Sequence, residues 1–395
     1  MQSMIIIGGY ILIALYALSQ VDRHLKHLFR YNVFRFFFDL VFLIPTLVPL
    51  AAALLPENVL PIDIRNQMLQ YGNYWLGFFV YFTGLLFLLH VLRIISIPFR
   101  DAEERKKHSP LTAGFALRLC IFLSLSANLY GKANAQHLWL TKYSVNIDKV
   151  VTKHGDMRIA LAADLHIGAN SKPSLIQKMV NTINEQDADV VVIAGDIFNA
   201  DFSEIEDPQE YIDILKGLDC KNGVYVVYGN HDVESRMLGG FNITDYSLQR
   251  RSKEMDQFVE DCGFTVLDDK VVIINGVQIA GRIDGTVTGT DAVRRATAKE
   301  LLGSCDVMMP VVVVEHEPLD FNALRTAGAD LILSGHTHAG QIFPGNIITR
   351  FFYRNSYGFK TVNGCKSLVT SGVGYYGPPI RVGTHSEVVS VDITY

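Results

Sequence analysis

The hydrophobic and polar positions divide the chain into two parts of different character. Up to about Tyr130 the residues are mostly apolar and aromatic, with charge confined to short blocks. This part contains four apolar stretches that approach the ~20 residues a helix needs to cross a bilayer. Soluble helices show a polar face, which Val41–Leu55 and Trp75–Leu92 almost entirely lack. The pattern predicts a transmembrane region over residues 1–131, with helices near Met4–Ser19, Val33–Leu55, Tyr74–Ile97 and Thr112–Tyr130.

The charges between these stretches predict how the chain crosses the membrane. Loops rich in Lys and Arg stay on the cytoplasmic side of a membrane. The second loop, Pro56–Gln70, carries a single basic residue, Arg65, whereas the first and third loops are basic. We therefore expect an integral, multi-pass membrane protein whose two termini, and with them the C-terminal part, lie outside the cytoplasm. The basic residues are Arg23, Lys26, Arg30 and Arg35 in the first loop, and Arg100, Arg105, Lys106 and Lys107 in the third.

After a predicted linker over residues 132–156, the pattern changes to that of a soluble domain over residues 157–395. Short apolar runs bounded by turn residues predict strands, and runs with apolar residues at 3–4-residue spacing predict helices. Asn275-Gly276 within Val271–Ala280 favours a tight hairpin turn. Strands that alternate with helices indicate an α/β fold. The predicted strands are Arg158–Ala163, Val190–Ala194, Val224–Tyr228, Val311–Glu315 and Leu331–Ser334, and the predicted helices are Pro173–Glu185, Leu248–Cys262 and Asp291–Leu302.

Candidate chemistry appears at the ends of the five predicted strands. Each strand ends in Asp, Asn or His residues, and strand ends form the ligand-binding edge of an open α/β sheet. Imidazole nitrogens together with carboxylate and amide oxygens suit borderline and hard divalent metals. The five segments are Asp164-Leu165-His166, Gly195-Asp196, Gly229-Asn230-His231-Asp232, His316, and Gly335-His336-Thr337-His338.

Composition excludes some classes of function. The net charge of −5 is small, so it gives no sign of a nucleic-acid partner. The five cysteines form no CxxC pair, which argues against a zinc finger or a disulfide framework.

In this order, D-x-H, G-D, G-N-H-D, H and G-H-x-H, the segments resemble the calcineurin-like metallophosphoesterase family. The apolar helices, the His338–Gln341 segment and the tail from Ser371 to Arg381 resemble its membrane-associated bacterial branch. The resemblance implies a four-layer αββα sandwich and an enzyme that uses two divalent ions, Mn, Zn or Fe, to hydrolyse phosphoric esters.

The resemblance also implies a role for each site residue. Asp164, His166 and His338 would bind the first ion. Asn230, His316 and His336 would bind the second, and Asp196 would bridge the two. His231 would act as the catalytic acid or base, steadied by Asp232. The sequence departs from the family at Asn199, where another Asp or Gly is frequent.

A membrane anchor favours a lipid-linked phosphomonoester or phosphodiester as the substrate, with the lipid bilayer as a partner. One alternative is a pyrophosphatase for a nucleotide-linked lipid of the UDP-diacylglucosamine type. Another is a membrane sensor or transporter with a phosphatase-like domain, since Asp39, His90 and Arg93 lie in or near the predicted spans. Phe351–Arg354 is either a membrane-interface segment or core packing, and Tyr375–Pro379 is either a substrate wall or a rigid turn.

Overall fold

The computed structural model describes residues 2–28, 32–55, 59–96, 98, 110–149, 155–244, 251–285 and 294–395. The chain forms two compact units. The helical unit comprises Met1–Lys132, Met237–Asp245 and Gly377–Ile380, and the sandwich unit comprises Ala133–Arg236, Tyr246–Tyr376 and Arg381–Tyr395.

Four helices in the N-terminal third are long and apolar enough to span a membrane, as the sequence predicted. They are α1 (Gln2–Leu28), α2 (Asn32–Leu54), α3 (Ile62–Ser96) and α4 (Pro110–Ala135). α3 begins at Ile62 instead of Tyr74, directly after Pro61, and residues 62–73 contain no Pro that would interrupt it. The third-loop basic residues Arg100, Arg105, Lys106 and Lys107, together with Arg30 of the first loop, lie outside the described residues.

Aromatic side chains form the core of the helical unit. Phe42 lies 6.0–6.3 Å, between ring centroids, from Phe79 and Phe82. The Tyr16 hydroxyl lies 2.7 Å from Nδ1 of His90. His90 therefore has a local hydrogen-bond partner at its position in α3.

Two short segments from the C-terminal part of the sequence belong to the helical unit. The first is a hairpin of β5 (Met237–Leu238) and β6 (Phe241–Asn242). At its turn, a Cβ on Gly239 would lie 3.2 Å from Cδ1 of Leu76. The second segment is Gly377–Ile380, where the Ile380 side chain approaches Gly77 so closely that a Cβ there would meet it at 2.9 Å.

The sandwich unit is built on two six-stranded mixed sheets. The first has the order β1-β14-β2-β3-β4-β7, in which β2, β3, β4 and β7 run parallel. Its strands are β1 (Leu138–Asn146), β2 (Asp156–Ala162), β3 (Val190–Ala194), β4 (Val224–Val227), β7 (Thr265–Val266) and β14 (Ser386–Thr394).

The second sheet has the order β12-β13-β11-β10-β9-β8, with β9, β10, β11 and β13 parallel. Its strands are β8 (Lys270–Ile274), β9 (Val277–Gly281), β10 (Val311–Val314), β11 (Leu331–Ser334), β12 (Gly358–Val362) and β13 (Cys365–Val369).

Three apolar cores confirm the predicted four-layer αββα sandwich. Leu161 and Val192 of the first sheet pack with Ile279 and Val312 of the second in a fully buried core between the sheets. A second core joins the outer face of the first sheet to α5 (Pro173–Asn184), α6 (Pro208–Leu215) and α7 (Lys253–Asp261). A third joins the second sheet to α8 (Ala298–Leu302) and α9 (Phe321–Thr326). Full burial of one such side chain stabilises the fold by about 1.5–3 kcal/mol.

Local signals explain where the elements begin and end. Asn275 and Gly276 both have positive φ, 48° and 83°, so the predicted tight turn joins β8 to β9. The helix predicted over Asp291–Leu302 begins only at Ala298, because Thr297 and Glu300 form a capping box. Likewise, the helix predicted from Leu248 begins at Lys253, after the N-cap Ser252. Residues 248–250 and 291–293 lie outside the described residues.

The segment predicted as a linker contains a strand. β1 pairs in parallel with β14, in register from Leu138 and Ser386 to Asn146 and Thr394. Its aromatic and β-branched residues favour an extended backbone. The sandwich therefore begins before residue 157.

Candidate metal centre

The strand ends of both sheets bring the predicted site residues together. β2, β3 and β4 of the first sheet, and β10 and β11 of the second, each end two or three residues before the first predicted site residue that follows them. The carboxyl ends of parallel strands lie at one sheet edge, which explains this convergence.

Asp164, His166 and His338 form one group that could hold a metal ion, and all three are buried. The Nε2 atoms of His166 and His338 lie 2.9 Å apart. Nε2 of His338 lies 3.6 Å from Oδ1 of Asp164. This is the set predicted for the first ion.

A second group surrounds His316. Its Nε2 lies 3.1 Å from Oδ2 of Asp196 and 3.2 Å from Oδ1 of Asn230. Nδ1 of His336 lies 2.8 Å from the same Asn230 oxygen. Oδ2 of Asp196 is also 3.7 Å from Nε2 of His166, so this carboxylate lies between the two groups. Asp164 is close enough to Asp196 and His316 to form a metal-holding trio with them as well.

The charge states of these side chains fit divalent cations. Burial lowers the pKa of both His166 and His338 well below the ordinary value, so their rings are neutral and keep a lone pair for a metal. Burial raises the pKa of Asp164 to about 7. Burial also opposes ionisation of Asp196, but the His316 and His231 charges outweigh it and hold the Asp196 pKa well below the usual range. The ionised Asp196 carboxylate beside the neutral rings of His166 and His338 suits a borderline divalent ion.

The Nδ1 atoms of His316 and His338 contact groups outside the metal site, which orient the two rings. Nδ1 of His316 donates to the carbonyl oxygen of Ala194 at 2.8 Å, which turns Nε2 toward the site. Nδ1 of His338 instead faces Nη2 of Arg381 at 3.3 Å. Arg381 is fully buried and also donates to the carbonyl oxygens of Ser371 and Gly374. A fixed positive charge therefore stands behind His338, where a hydrogen-bond acceptor is usual.

The backbone around the site is bent into the left-handed region. Five residues of the predicted metal set have positive φ, between 47° and 72°, a conformation that side-chain-bearing residues seldom adopt. Such strain is typical of functional sites. The five are Asp164, His166, Asp196, His336 and His338. Gly195 also has positive φ, and a Cβ there would lie 2.5 Å from Nδ1 of His316.

His231 lies at the same place, but its predicted link to Asp232 is wrong. Nδ1 of His231 lies 2.9 Å from the carbonyl oxygen of Asn199. Both Asp232 oxygens accept backbone N–H groups instead, from Asp196, Phe198 and Gly229 at 2.7–3.0 Å. Asp232 is fully buried, and its carboxylate holds the loops together through these three backbone groups.

Four residues outside the predicted metal and catalytic set also contact the site. The Tyr353 hydroxyl lies 2.9 Å, and Oε1 of Glu317 3.3 Å, from Nε2 of His336. The Tyr376 ring lies 4.9 Å from that of His338 and 6.3 Å from that of His231, between centroids. Tyr376 thus forms a wall of the site, one of the two alternatives for Tyr375–Pro379. The fourth residue is Arg381, which the sequence placed in the Ser371–Arg381 tail without a role at the metal site.

Comparison with known proteins agrees with this geometry. Residues 157–340 match the family model described as calcineurin-like phosphoesterase. Within the sandwich, these residues therefore form a calcineurin-like phosphoesterase domain.

Several relatives share more than this domain. An uncharacterised metallophosphoesterase of Helicobacter pylori is 24% identical over 343 residues, which cover 86% of this chain and 84% of the relative. A zebrafish (Danio rerio) protein named transmembrane protein with metallophosphoesterase domain is 26% identical over 333 residues, or 80% of this chain and 69% of the relative. An uncharacterised metallophosphoesterase of Aquifex aeolicus is 26% identical over 278 residues, or 69% of this chain and 98% of the relative.

Proposed function

We propose that this protein is a membrane-anchored, metal-dependent hydrolase of phosphoric esters that uses two divalent ions, Mn, Zn or Fe. The observation that carries the proposal is the meeting of seven donor side chains, from five strand ends, at one edge of the sandwich. Asp164, His166 and His338 would hold one ion, and Asn230, His316 and His336 the other. Asp196 would contact both ions.

Three further side chains, those of His231, Tyr376 and Tyr353, would have roles in hydrolysis beside the ions. Divalent ions neutralise charge on a phosphoryl group and lower the pKa of an attacking water. His231 would give a proton to the leaving oxygen or bind a phosphoryl oxygen, with its ring oriented by the Asn199 carbonyl. The Tyr376 ring would cover one side of the substrate. Tyr353 would fix the ring of His336.

A lipid-linked phosphomonoester or phosphodiester is the substrate class that we propose. The support is the presence of four helices long and apolar enough to span a membrane in the same chain as the site, since hydrolysis of a soluble metabolite needs no anchor. The basic first and third loops support a catalytic domain outside the cytoplasm.

The test is a substrate screen with the purified full chain in nanodiscs. Phospholipid phosphomonoesters, phosphodiesters and nucleotide-linked lipids would be offered with Mn²⁺, Zn²⁺ or Fe²⁺. Asp196→Asn should lose metal and activity together, because the contact shared by both ions loses its charge. Asp213→Asn, on the exposed surface of α6, is the matched control.

Elemental analysis of the active protein should find two ions per chain. One ion or none in active protein would contradict the two-ion proposal. Cleavage of nucleotide-linked lipids alone would replace the proposed substrate class with a pyrophosphatase. No metal-dependent hydrolysis of any substrate would overturn the proposed function itself.

A further inference from the structure

The helix that follows the last metal-site segment exposes an unusual amount of apolar surface. This helix, α10 (Gly345–Phe352), has no buried residue. Phe351 and Phe352 are 83% and 77% exposed, and Ile347 and Ile348 are each about half exposed. Core packing, one of the two alternatives for Phe351–Arg354, is therefore wrong for these phenylalanines. Clustered large apolar side chains in contact with water mark an interaction surface.

The charges on this segment indicate which kind of surface it binds. Arg350 and Arg354 are exposed, and Gly345–Arg354 contains no Asp or Glu. Aromatic and aliphatic side chains combined with basic ones are the composition of helices that lie in a membrane interface, with the apolar groups among the acyl chains. The basic side chains then meet anionic headgroups.

The polar side of the same helix borders a small cavity. Asn346 and Arg350 of α10 line a cavity of about 160 Å³ together with Tyr357, Thr384 and His385. α10 thus carries exposed apolar side chains on one side and, on the other, polar side chains that border a partly open cavity. This is the two-sided character of an amphipathic helix.

We propose that α10 is an interfacial helix that binds the surface of an anionic phospholipid bilayer and inserts Phe351 and Phe352 among the lipids. A bilayer is the appropriate occupant because this chain also carries four helices long and apolar enough to span a membrane, so lipid is present wherever the protein resides.

The position of α10 gives this surface a consequence for the metal centre. Tyr353 is the C-cap of α10, and its hydroxyl lies 2.9 Å from Nε2 of His336. A shift of the helix on binding lipid would therefore be transmitted directly to a histidine of the site. The proposal goes beyond the proposed function, because lipid binding by α10 does not require any particular substrate.

The test measures contact with lipid and does not use activity. The full-length Phe351→Trp variant would be placed in nanodiscs of equal parts phosphatidylcholine and phosphatidylglycerol, with or without bromine on the acyl chains. The native Trp75 and Trp139 contribute a background, which the wild-type protein in the same nanodiscs measures. Ile273→Trp is the matched control, since Ile273 is a 64% exposed apolar residue on β8, at the opposite edge of the second sheet from β12.

Brominated lipid should remove at least about half of the added emission from Phe351→Trp and leave that of Ile273→Trp unchanged. Adding Arg350→Glu and Arg354→Glu should reduce this quenching in the anionic nanodiscs. Phe352→Trp should repeat the result if Phe351→Trp fails to fold. Equal quenching of the Phe351 and Ile273 variants would overturn the proposal. The proposal would also be overturned if the Phe351→Trp emission were the same with and without bromine but changed with protein concentration. That result would indicate that α10 contacts a second copy of the protein and not lipid.

Discussion

The Nδ1 atom of His231 lies 2.9 Å from the backbone carbonyl oxygen of Asn199. Because a carbonyl can only accept, this contact places a proton on Nδ1 and leaves Nε2 to exchange a proton with a substrate. Position 199 is where the sequence departs from the family pattern. Its contribution here comes from the backbone, so the departure leaves this bond intact.

We expect His231→Ala to lower kcat by about 10²–10⁴, the usual contribution of a positioned acid or base. Metal content should stay near that of the wild type, because the His231 ring is not part of either metal-holding group. The loss should be smaller for p-nitrophenyl esters, whose leaving group needs no proton. Kinetics with an alkyl and a p-nitrophenyl ester, together with elemental analysis, provide the measurement. Equal losses for both esters would count against proton donation.

Asp232→Asn should behave differently from His231→Ala. The Asp232 carboxylate accepts hydrogen bonds from three buried backbone N–H groups. In Asn, an NH2 group replaces one of the two accepting oxygens, so at least one of these N–H groups loses its acceptor. Each buried donor left without an acceptor costs about 1–3 kcal/mol, so the melting temperature and the metal content should fall together. Thermal unfolding beside Asp213→Asn would check this. A stable, metal-loaded Asp232→Asn enzyme with the leaving-group dependence of His231→Ala would restore the original pairing of the two residues.

Metal affinity should rise as the pH increases from 6 to 8. The pKa of Asp164 is raised to about 7 by burial. Burial would lower the pKa of His316, but the neighbouring Asp196 carboxylate raises it well above the ordinary value. Both groups are therefore protonated in metal-free protein at low pH and must lose their protons to bind metal. His166 and His338 are already neutral and release none.

Calorimetric titration with Mn²⁺ or Zn²⁺ in buffers of different ionisation enthalpy measures this proton release. We expect between one and two protons at pH 6 and fewer at pH 8. An affinity that does not change over this range would contradict the charge states derived for Asp164 and His316.

A reporter fused to the C-terminus should be active outside the cytoplasm. This expectation rests on the basic first and third loops. Alkaline phosphatase, which is active only after export, should show activity in the fusion. A reporter that fluoresces only in the cytoplasm should stay dark. Fluorescence would reverse the topology and favour a cytoplasmic nucleotide-linked lipid as the substrate.

The sequence predicted the site better than it predicted the surroundings of the site. Motifs at strand ends are local, so the order of Asp164, Asp196, Asn230, His316 and His336 was enough to expect their convergence. Arg381 reaches the site through the tertiary fold, which no spacing along the chain reveals.

The same limit explains why residues 132–156 were predicted as a linker and why a contact between His231 and Asp232 was expected. β1 exists because it pairs with β14, nearly 250 residues later, and a local pattern cannot identify a partner at that distance. The His231-Asp232 sequence suggested a carboxylate beside the ring. The turn instead directs Asp232 away, toward the N–H groups of Asp196 and Phe198.

The assignment of Met237–Asp245 and Gly377–Ile380 to the helical unit means that no single cut of the polypeptide separates the two halves of this protein. A fragment starting at Ala133 would retain the buried Met237 and Leu238 but lack Leu76 and Gly77, beside which Gly239 and Ile380 lie. Met237, Leu238 and Ile380 would be exposed to water in such a fragment. The sandwich half is therefore not a module that one cut can release from the helices, because its part of the sequence also supplies two segments of the helical unit.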